Sequence, residues 1–438
     1  MRRFLLCIPA ILLLTTGCSR RPATVVPSAS LASLASRRPP YDPTLLPKTM
    51  AFHEKRLKET PRSAMELNFL AENFNQLGRE TGDIADTFRA EQLARRSLKV
   101  RTYHNDSAYY ALALSLFTQH RFHESLEIGK HLAAQSPDDL HAAYLIAENQ
   151  TELGDYVEAE KTMKGVHPHL DDPFGMVLRA RLLEMNGQSD AARTQLERAR
   201  DAAAQNIDIP RENLAWFCMR VGDLQAARGR MELAEQSYRE ALALFPNDQR
   251  TLTALTRLSA ARGDWAATLT WGQQAANIVP TPEVIALLGD AYRTQGKMKE
   301  ADAQYALLET MHRLDRAQGG VYDRQRALYL ADHDRGLDEA LLLARKELKA
   351  RHDIYAYDTL AWVCCKKGLY AEAGKAIDVA LAHNRQDAKI LYHAGIIAAK
   401  RGDKANAKLY LTQALAINAY FLPLAPAQAR TVLTALGG

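Results

Sequence analysis

The chain has 438 residues, a length that allows two or three domains, and its five cysteines include no CxxC pair, which excludes zinc-site and thioredoxin signatures. Its formal net charge is +5, yet residues 19–60 alone carry +5 and two arginines near the amino terminus add +2, so residues 61–438 carry −2. A body so close to neutral argues against general nucleic-acid binding, which needs a basic face.

The first 17 residues are predicted to be an export signal. Two arginines precede an apolar run of about a dozen residues, which is too short for an ordinary membrane span, and small residues follow it. The sequence Thr-Thr-Gly-Cys ending at Cys18 resembles a bacterial lipoprotein signal. That resemblance implies cleavage before Cys18, acylation of Cys18 and, because Ser19 follows, an outer-membrane location facing the periplasm. The alternative is a conventional secreted protein that is cut nearby, with Cys18 lost or unmodified.

Residues 18–60 are predicted to be a disordered, lipid-anchored tether. The stretch is rich in Pro, Ser and Ala and shows no period of 2 or 3.6 residues with a sizeable apolar face. Its excess of basic residues suits an anionic bilayer, at roughly 1 kcal/mol for each Lys or Arg near the surface. The same residues would equally serve to keep a linker solvated.

A pattern of recurring small and large residues organises the rest of the chain, residues 61–425. In one copy, residues 282–313, it consists of Leu288, Gly289, Tyr292, Gly296, Ala301 and Tyr305. Copies begin near residues 106, 140, 173, 215, 249, 282, 321, 354 and 388. The glycines at the turn position are Gly154, Gly187, Gly229, Gly263, Gly296, Gly368 and Gly402, and the small residues five places later are Ala159, Ala192, Ala234, Thr268, Ala301, Ala373 and Ala407. Small residues allow two helices to approach closely, and a glycine allows the positive φ of a tight turn.

This pattern resembles the tetratricopeptide repeat (TPR), a helix–turn–helix unit of roughly 34 residues. The resemblance implies an all-α, right-handed TPR solenoid of nine to ten repeats, because an isolated helix pair cannot bury its apolar faces. A degenerate first repeat is expected over residues 64–105, and a capping helix over 426–438. Two long intervals predict extended helices or loops at 201–211 and 312–320.

The residues offer little support for catalysis. Phosphate-binding glycine loops and a GxSxG elbow are absent, and carboxylate pairs lie in predicted turns. Cys218 and Cys364 occupy framework positions where a small apolar residue packs well, and helical geometry opposes a disulfide between Cys364 and Cys365. We therefore expect no enzyme, no metal site and no cofactor.

The resemblance implies that a partner docks on the concave face formed by the first helix of each repeat. The C-terminal half of that face is the predicted groove. Its residues are Tyr322, Tyr329, Asp332, Tyr355, Asp358, Trp362, Lys366, Lys389, Tyr392 and Lys400. Aromatic and charged side chains of this kind are favoured in binding surfaces. The alternative is that some of the aromatic residues fill contacts between neighbouring first helices.

These features together predict an exported, membrane-anchored interaction scaffold that binds an extended peptide or a partner helix in its groove. By resemblance, such lipoproteins act in cell-envelope assembly or secretion. Two alternatives remain at this point. One is a glycan-handling module for peptidoglycan or exopolysaccharide, since Tyr and Trp also suit sugar rings. The other is an enzyme with an unrecognised site near residues 201–211 or 312–320.

Overall fold

The computed structural model describes residues 38–166, 172–317, 323–383 and 386–437. Within these ranges the chain forms 22 helices and no strand. In chain order, α1 to α22 are Leu45–Glu59, Ala64–Thr81, Ile84–Val100, Asp106–Thr118, Phe122–Gln135, Leu140–Leu153, Tyr156–Gly165, Pro173–Met185, Ser189–Gln205, Arg211–Ala227, Met231–Leu244, Gln249–Arg262, Trp265–Ile278, Pro282–Thr294, Met298–Ala317, Asp323–Asp332, Leu337–Ala350, Ile354–Lys366, Tyr370–His383, Ala388–Lys400, Lys404–Ile417 and Ala425–Ala435.

The helices pair in sequence, from α2 with α3 to α20 with α21, and successive pairs stack into a solenoid. The predicted phase is confirmed, because each of the seven turn glycines has a positive φ. The small residues five places later are also buried, with exposed fractions of 0–1%. At Gly289 an added Cβ would lie 2.5 Å from the ring of Tyr305, so the close approach of α14 and α15 requires glycine there.

The ends of the helices follow from local sequence. Several first helices begin after an aspartate whose side chain accepts a hydrogen bond from a backbone N–H of the first turn, including Asp139, Asp353 and Asp387. The second helices α11 and α13 end at Leu244 and Ile278, shortly before a proline that cannot continue the ladder. The degenerate pair predicted over 64–105 is present as α2 and α3.

The prediction of a disordered tether over residues 18–60 is wrong for helix α1. Leu45–Glu59 was expected to be disordered but is helical, with Leu46 and Met50 buried against α2. These few apolar residues give α1 no sizeable apolar face of its own, so its order depends on the solenoid end that it covers. The described part of the tether thus belongs to the folded body, whereas the signal and Cys18 lie outside the described residues.

The long interval at 201–211 has a structural role. It forms the end of α9 and a short connection to α10, and the side chain of Arg38 is buried there. The guanidinium of Arg38 donates to the carbonyl oxygens of Ala203, Ala204, Asn206 and Ile209 at 2.5–3.1 Å. Burial lowers the pKa of Arg38, as does the neighbouring Arg211.

The N-terminal segment, residues 38–44, is fastened at two further points. Arg211 donates to the carbonyl oxygens of Arg38 and Pro39. Tyr41 packs edge-on against Phe245, with ring centroids 4.7 Å apart, and its hydroxyl donates to Glu80. The segment therefore joins α2 to the middle of the solenoid. Of the second long interval, residues 312–317 extend α15 to Ala317, and residues 318–320 lie outside the described ranges.

At the other end, α22 packs on α20 and α21 where the capping helix was expected. None of the helices in the described ranges combines the length and the apolar character needed to cross a bilayer.

Candidate functional site

The inner wall of the solenoid is narrow because distant parts of the superhelix touch. His352 donates its backbone N–H to the carbonyl oxygen of Leu153 at 2.8 Å, and Ile354 donates its own to the hydroxyl of Tyr156, 198 residues away. A second contact, over 192 residues, joins the side-chain amide of Asn418 to the carbonyl oxygen of Ala226. Successive superhelical turns therefore meet edge to edge, and the concave face lies inside the molecule.

Along this inner wall the described residues enclose two neighbouring cavities of note. The first, about 280 Å³, lies among α6, α8, α16 and α18. The second, about 390 Å³, lies among α8, α10, α18 and α20 and reaches the surface near Ala227 and Gln386, which are exposed. Arg181, Met185 and Tyr355 line both cavities, so the two are neighbours along one wall.

Charged side chains of both signs line the second cavity. They are Arg181, Glu184, Arg220, Asp223, Arg228, Asp387 and Lys389. Arg220 pairs with Asp223 at 3.1 Å and with Glu184 at 3.7 Å, which places one cation between acids of successive first helices. Burial raises the pKa of Glu184, although nearby arginines oppose the shift. The wall is thus polar and nearly balanced in charge.

Sequence reasoning did not single out Arg181 or Arg220. Arg181 pairs with Glu152 of the preceding first helix, and Arg351 of the next superhelical turn reaches the same carboxylate at 3.2 Å. The signal for such residues is a charged side chain on a largely apolar first helix such as α8, because a charge is costly to bury in the core without a partner. Burial alone would lower the pKa of Arg181, but Glu152 and Glu148 outweigh it and raise the pKa.

Of the predicted groove residues, Tyr355 and Lys389 line the second cavity. The Lys389 Nζ lies 5.7 Å from the centroid of the Tyr355 ring and 3.4 Å from a carboxylate oxygen of Asp358. Burial raises the pKa of Tyr355 well above its usual range. These two side chains are the part of the prediction that the structure brings together at an accessible site.

The other predicted aromatic residues are not on an open surface. Tyr329, Trp362 and Tyr392 are 9%, 4% and 2% exposed, and all three belong to the core between neighbouring helices. The expectation that they line a groove is wrong, because their rings fill the space between first helices, the alternative left open by the sequence. For the same reason, the ring of Trp362 has no exposed face on which a sugar could stack.

Asp358 is also buried, contrary to the groove prediction, and belongs to a polar cluster within the core. Its carboxylate accepts a hydrogen bond from His393 Nδ1 at 2.7 Å, and the His393 ring stacks on Trp362 with centroids 4.2 Å apart. Burial opposes ionisation of Asp358, but His393 and Lys389 outweigh it and hold its pKa below the usual range. Trp362 in turn donates its indole N–H to Asp332 at 2.8 Å.

The remaining predicted residues are scattered. Asp332 is exposed but committed to Trp362, and Lys366 pairs with Asp334 at 2.7 Å while lying over the Trp362 ring. Lys400 is exposed and does not line either cavity. Tyr322 lies outside the described residues.

One histidine beside this region, His333, has a hydrogen-bonding partner at each ring nitrogen. His333 Nε2 is 3.0 Å from a carboxylate oxygen of Asp290, and its Nδ1 is 2.8 Å from the carbonyl oxygen of Tyr329. Both ring nitrogens thus face acceptors, which suits the doubly protonated ring. Burial opposes protonation, but the contacts with Asp290 and Tyr329 outweigh it and raise the pKa of His333.

The cysteines of the described residues are buried thiols. Cys218, Cys364 and Cys365 are buried and unpaired, and burial raises the pKa of Cys364 to about 12. A buried thiol with so high a pKa is inert as a nucleophile. Across the described ranges, no three His, Cys, Asp or Glu side chains converge in a way that would hold a metal ion.

Family models match three stretches of the chain. Tetratricopeptide repeat models match residues 177–249 and 388–421, and a model described as anaphase-promoting complex, cyclosome, subunit 3 matches residues 86–166. No curated protein matches the sequence.

Solved structures similar to this chain include the APC/C hetero-tetramer Cut9–Hcn1, at 12% identity over 88% of this chain and 92% of that chain, with a TM-score of 0.34. Yeast Tom70 is similar at 11% identity over 84% and 95%, with a TM-score of 0.36. PilW, a widely conserved type IV pilus biogenesis factor, is similar at 14% identity over 47% and 93%, with a TM-score of 0.39.

The chain therefore contains tetratricopeptide repeats, and its fold is an all-helical TPR solenoid. Repeats of this type are typically non-enzymatic scaffolds for protein partners.

Proposed function

We propose that the chain is an exported, membrane-anchored interaction scaffold that binds an extended peptide segment of a partner in cell-envelope assembly or secretion. The export and anchoring parts rest on the signal-like residues 1–17 and on Cys18. The binding part rests on one observation, the second cavity, where the predicted residues Tyr355 and Lys389 lie opposite α8 and α10.

The chemistry of this cavity favours a peptide. Its volume of about 390 Å³ lies within the range of ligand sites, roughly 300–1,000 Å³. Cations and carboxylates alternate along its wall and can pair with the backbone and with side chains of either charge. The ring of Tyr355 supplies an apolar surface beside them.

The size of the cavity supports one of the two forms of partner that the sequence left open. A helix with its side chains is about 10–12 Å across and needs a groove open along its length. The edge-to-edge contacts between superhelical turns leave no such groove along the inner wall at Leu153 and Ala226. An extended strand of a few residues is therefore the better candidate.

A photo-crosslinking amino acid placed at position 389, in cells that express the full chain, tests the binding site. We expect a discrete crosslinked peptide at position 389 and none at position 400, since Lys400 is exposed but outside the cavity. Tyr355→Ala should abolish the crosslink at 389. Equal crosslinking at both positions, or no effect of Tyr355→Ala, would refute the proposed site.

Attachment to the membrane is tested separately. After a high-salt wash, which screens electrostatic attachment, a Cys18→Ser chain should be in the soluble periplasmic fraction, whereas Cys365→Ser, a change at a buried cysteine, should remain with the membrane. Membrane association that survives Cys18→Ser in high salt counts against an acyl anchor.

A further inference from the structure

The two N-terminal helices, α1 and α2, carry an unusual concentration of exposed apolar side chains. Four such residues, Leu45, Phe52, Met65 and Phe69, are 62%, 55%, 54% and 41% exposed. We call them the N-terminal surface. Single exposed apolar residues are ordinary, but a contiguous group marks a site of interaction with a protein or a membrane.

Three of these side chains are joined into one patch. Phe69 stacks on His53 with ring centroids 4.6 Å apart, and Phe52 meets the same His53 edge-on at 5.2 Å. Met65 lies one turn before Phe69 on α2 and so shares its face. Leu45 lies two turns before Phe52 on α1 and extends the patch along that helix.

The patch is held by a buried ionic cluster beneath it. Glu66 is 1% exposed and accepts hydrogen bonds from His53 Nδ1 at 2.7 Å and from Arg56 Nε at 2.6 Å. Burial opposes ionisation of Glu66, but His53 and Arg56 outweigh it and hold its pKa below the usual range. These contacts hold α1 against α2, so the exposed rings lie on an ordered surface.

Basic residues outnumber acidic ones along α1 and the turn that follows it. Residues 45–62 contain five cations and two acids, and the cations are Lys48, Lys55, Arg56, Lys58 and Arg62. The guanidinium carbon of Arg56 lies 5.6 Å from the centroid of the Phe52 ring, so a cation and an aromatic ring share the surface. Aromatic and aliphatic side chains within a basic rim are the combination found in helices that lie in the interface of a bilayer.

We infer that the N-terminal surface docks on an anionic lipid bilayer, with its apolar side chains in the headgroup region and its cations among the phosphates. This inference rests on the proposed membrane attachment. Residues 19–37 separate Cys18 from Arg38, and nineteen residues span at most about 65 Å, so an anchor at Cys18 keeps the body beside the bilayer.

Charge favours an anionic bilayer over a second copy of the chain as the partner of the N-terminal surface. Two N-terminal surfaces brought face to face would oppose their basic rims, whereas anionic lipids attract each Lys or Arg. The acyl group and the docked surface would then act as two signals, the number that stable attachment generally requires. The docked surface would also fix the orientation of the solenoid relative to the membrane.

The test uses the chain from residue 18 onward with Cys18→Ser, so that no acyl group contributes. We expect it to sediment with vesicles of phosphatidylethanolamine and phosphatidylglycerol, but not with phosphatidylcholine vesicles. Phe52→Asp combined with Phe69→Asp should weaken binding by roughly tenfold or more, because two half-exposed rings no longer enter the interface. Leu342→Asp is the matched control, since Leu342 is 69% exposed on α17, and it should bind like the unchanged chain.

Lys48→Glu combined with Lys55→Glu keeps every apolar side chain and should also weaken binding to the anionic vesicles. The inference is overturned if the unacylated chain binds neither kind of vesicle, binds both equally, or binds as well after Phe52→Asp and Phe69→Asp. These results are separate from acylation, which is decided by fractionating the Cys18→Ser chain after a high-salt wash that screens binding through the cations. An unchanged circular-dichroism melt of each variant shows that a loss of binding is not a loss of folding.

Discussion

The contact between superhelical turns at Gly154 predicts a specific failure when a single methyl group is added. Gly154 has a φ of +92°, and a Cβ there would lie 2.5 Å from the carbonyl carbon and oxygen of His352. Ordinary contact begins at 3.4 Å, so Gly154→Ala must move the two turns apart by about 0.9 Å. The hydrogen bond from His352 N–H to the Leu153 carbonyl oxygen, now 2.8 Å, would lengthen to about 3.7 Å and break.

The cost has two parts that a matched control separates. A left-handed backbone costs an alanine roughly 1–2 kcal/mol, and the lost hydrogen bond adds about 1 kcal/mol. Gly296→Ala pays the first part alone, because Gly296 has a φ of +76° and no atom within 4 Å of the added Cβ. We therefore expect Gly154→Ala to lower the free energy of unfolding by about 2–3 kcal/mol and Gly296→Ala by about 1–2 kcal/mol.

Hydrogen exchange of the His352 amide is the decisive measurement. In Gly154→Ala this amide should exchange roughly five- to tenfold faster, whereas in Gly296→Ala its rate should stay unchanged. If both variants lose the same stability and the His352 amide already exchanges without protection in the natural chain, the superhelical turns are not in contact in solution. The closed inner wall, and the preference for an extended peptide that follows from it, would then be wrong.

Three further predictions concern buried groups. Arg38→Met should lower the free energy of unfolding by roughly 2–4 kcal/mol and expose the N-terminal segment to protease, because four backbone carbonyls lose a charged donor. Arg89→Met, at a largely exposed arginine, is the control and should do neither. His333 has a raised pKa in the folded state, so its stabilising contact with Asp290 is fully present below about pH 6.5 and is lost as the pH rises through the folded pKa. Thermal melts should therefore show the difference between the natural chain and His333→Gln shrinking with rising pH, and a constant difference would contradict this. Trp362→Ala should lower the free energy of unfolding by about 3–5 kcal/mol in a denaturant titration, as expected of a buried side chain. A negligible loss of stability would mean that Trp362 lines an open groove.

The repeat phase could be predicted from the sequence because it depends on contacts within one helix pair. Gly289 must be small for the ring of Tyr305 to lie against it, and Ala301 must be small for α14 and α15 to meet. These requirements recur at fixed spacing, so they leave a periodic pattern. The positions of α2 and α3 followed from the same pattern in weaker form.

The inner wall could not be predicted in this way, because its width depends on contacts between residues far apart in the sequence. Nothing within a repeat indicates that Gly154 will meet His352. Whether Trp362 faces solvent or a neighbour is likewise set outside its own repeat, because its partners Asp332 and His393 lie on the adjacent first helices. Helix α1 was missed for a related reason, since its few apolar residues are ordered only by packing against α2.

The way Arg38 is held determines how the molecule would respond to mechanical load. Tension applied to the chain ahead of residue 38 meets the carbonyl oxygens at the end of α9 before it reaches α1. The force would enter near the middle of the stack and spread to repeats on both sides, instead of peeling helices one at a time from a terminus. A body pulled at its centre resists in shear, so the terminal helices stay folded until the buried guanidinium is withdrawn.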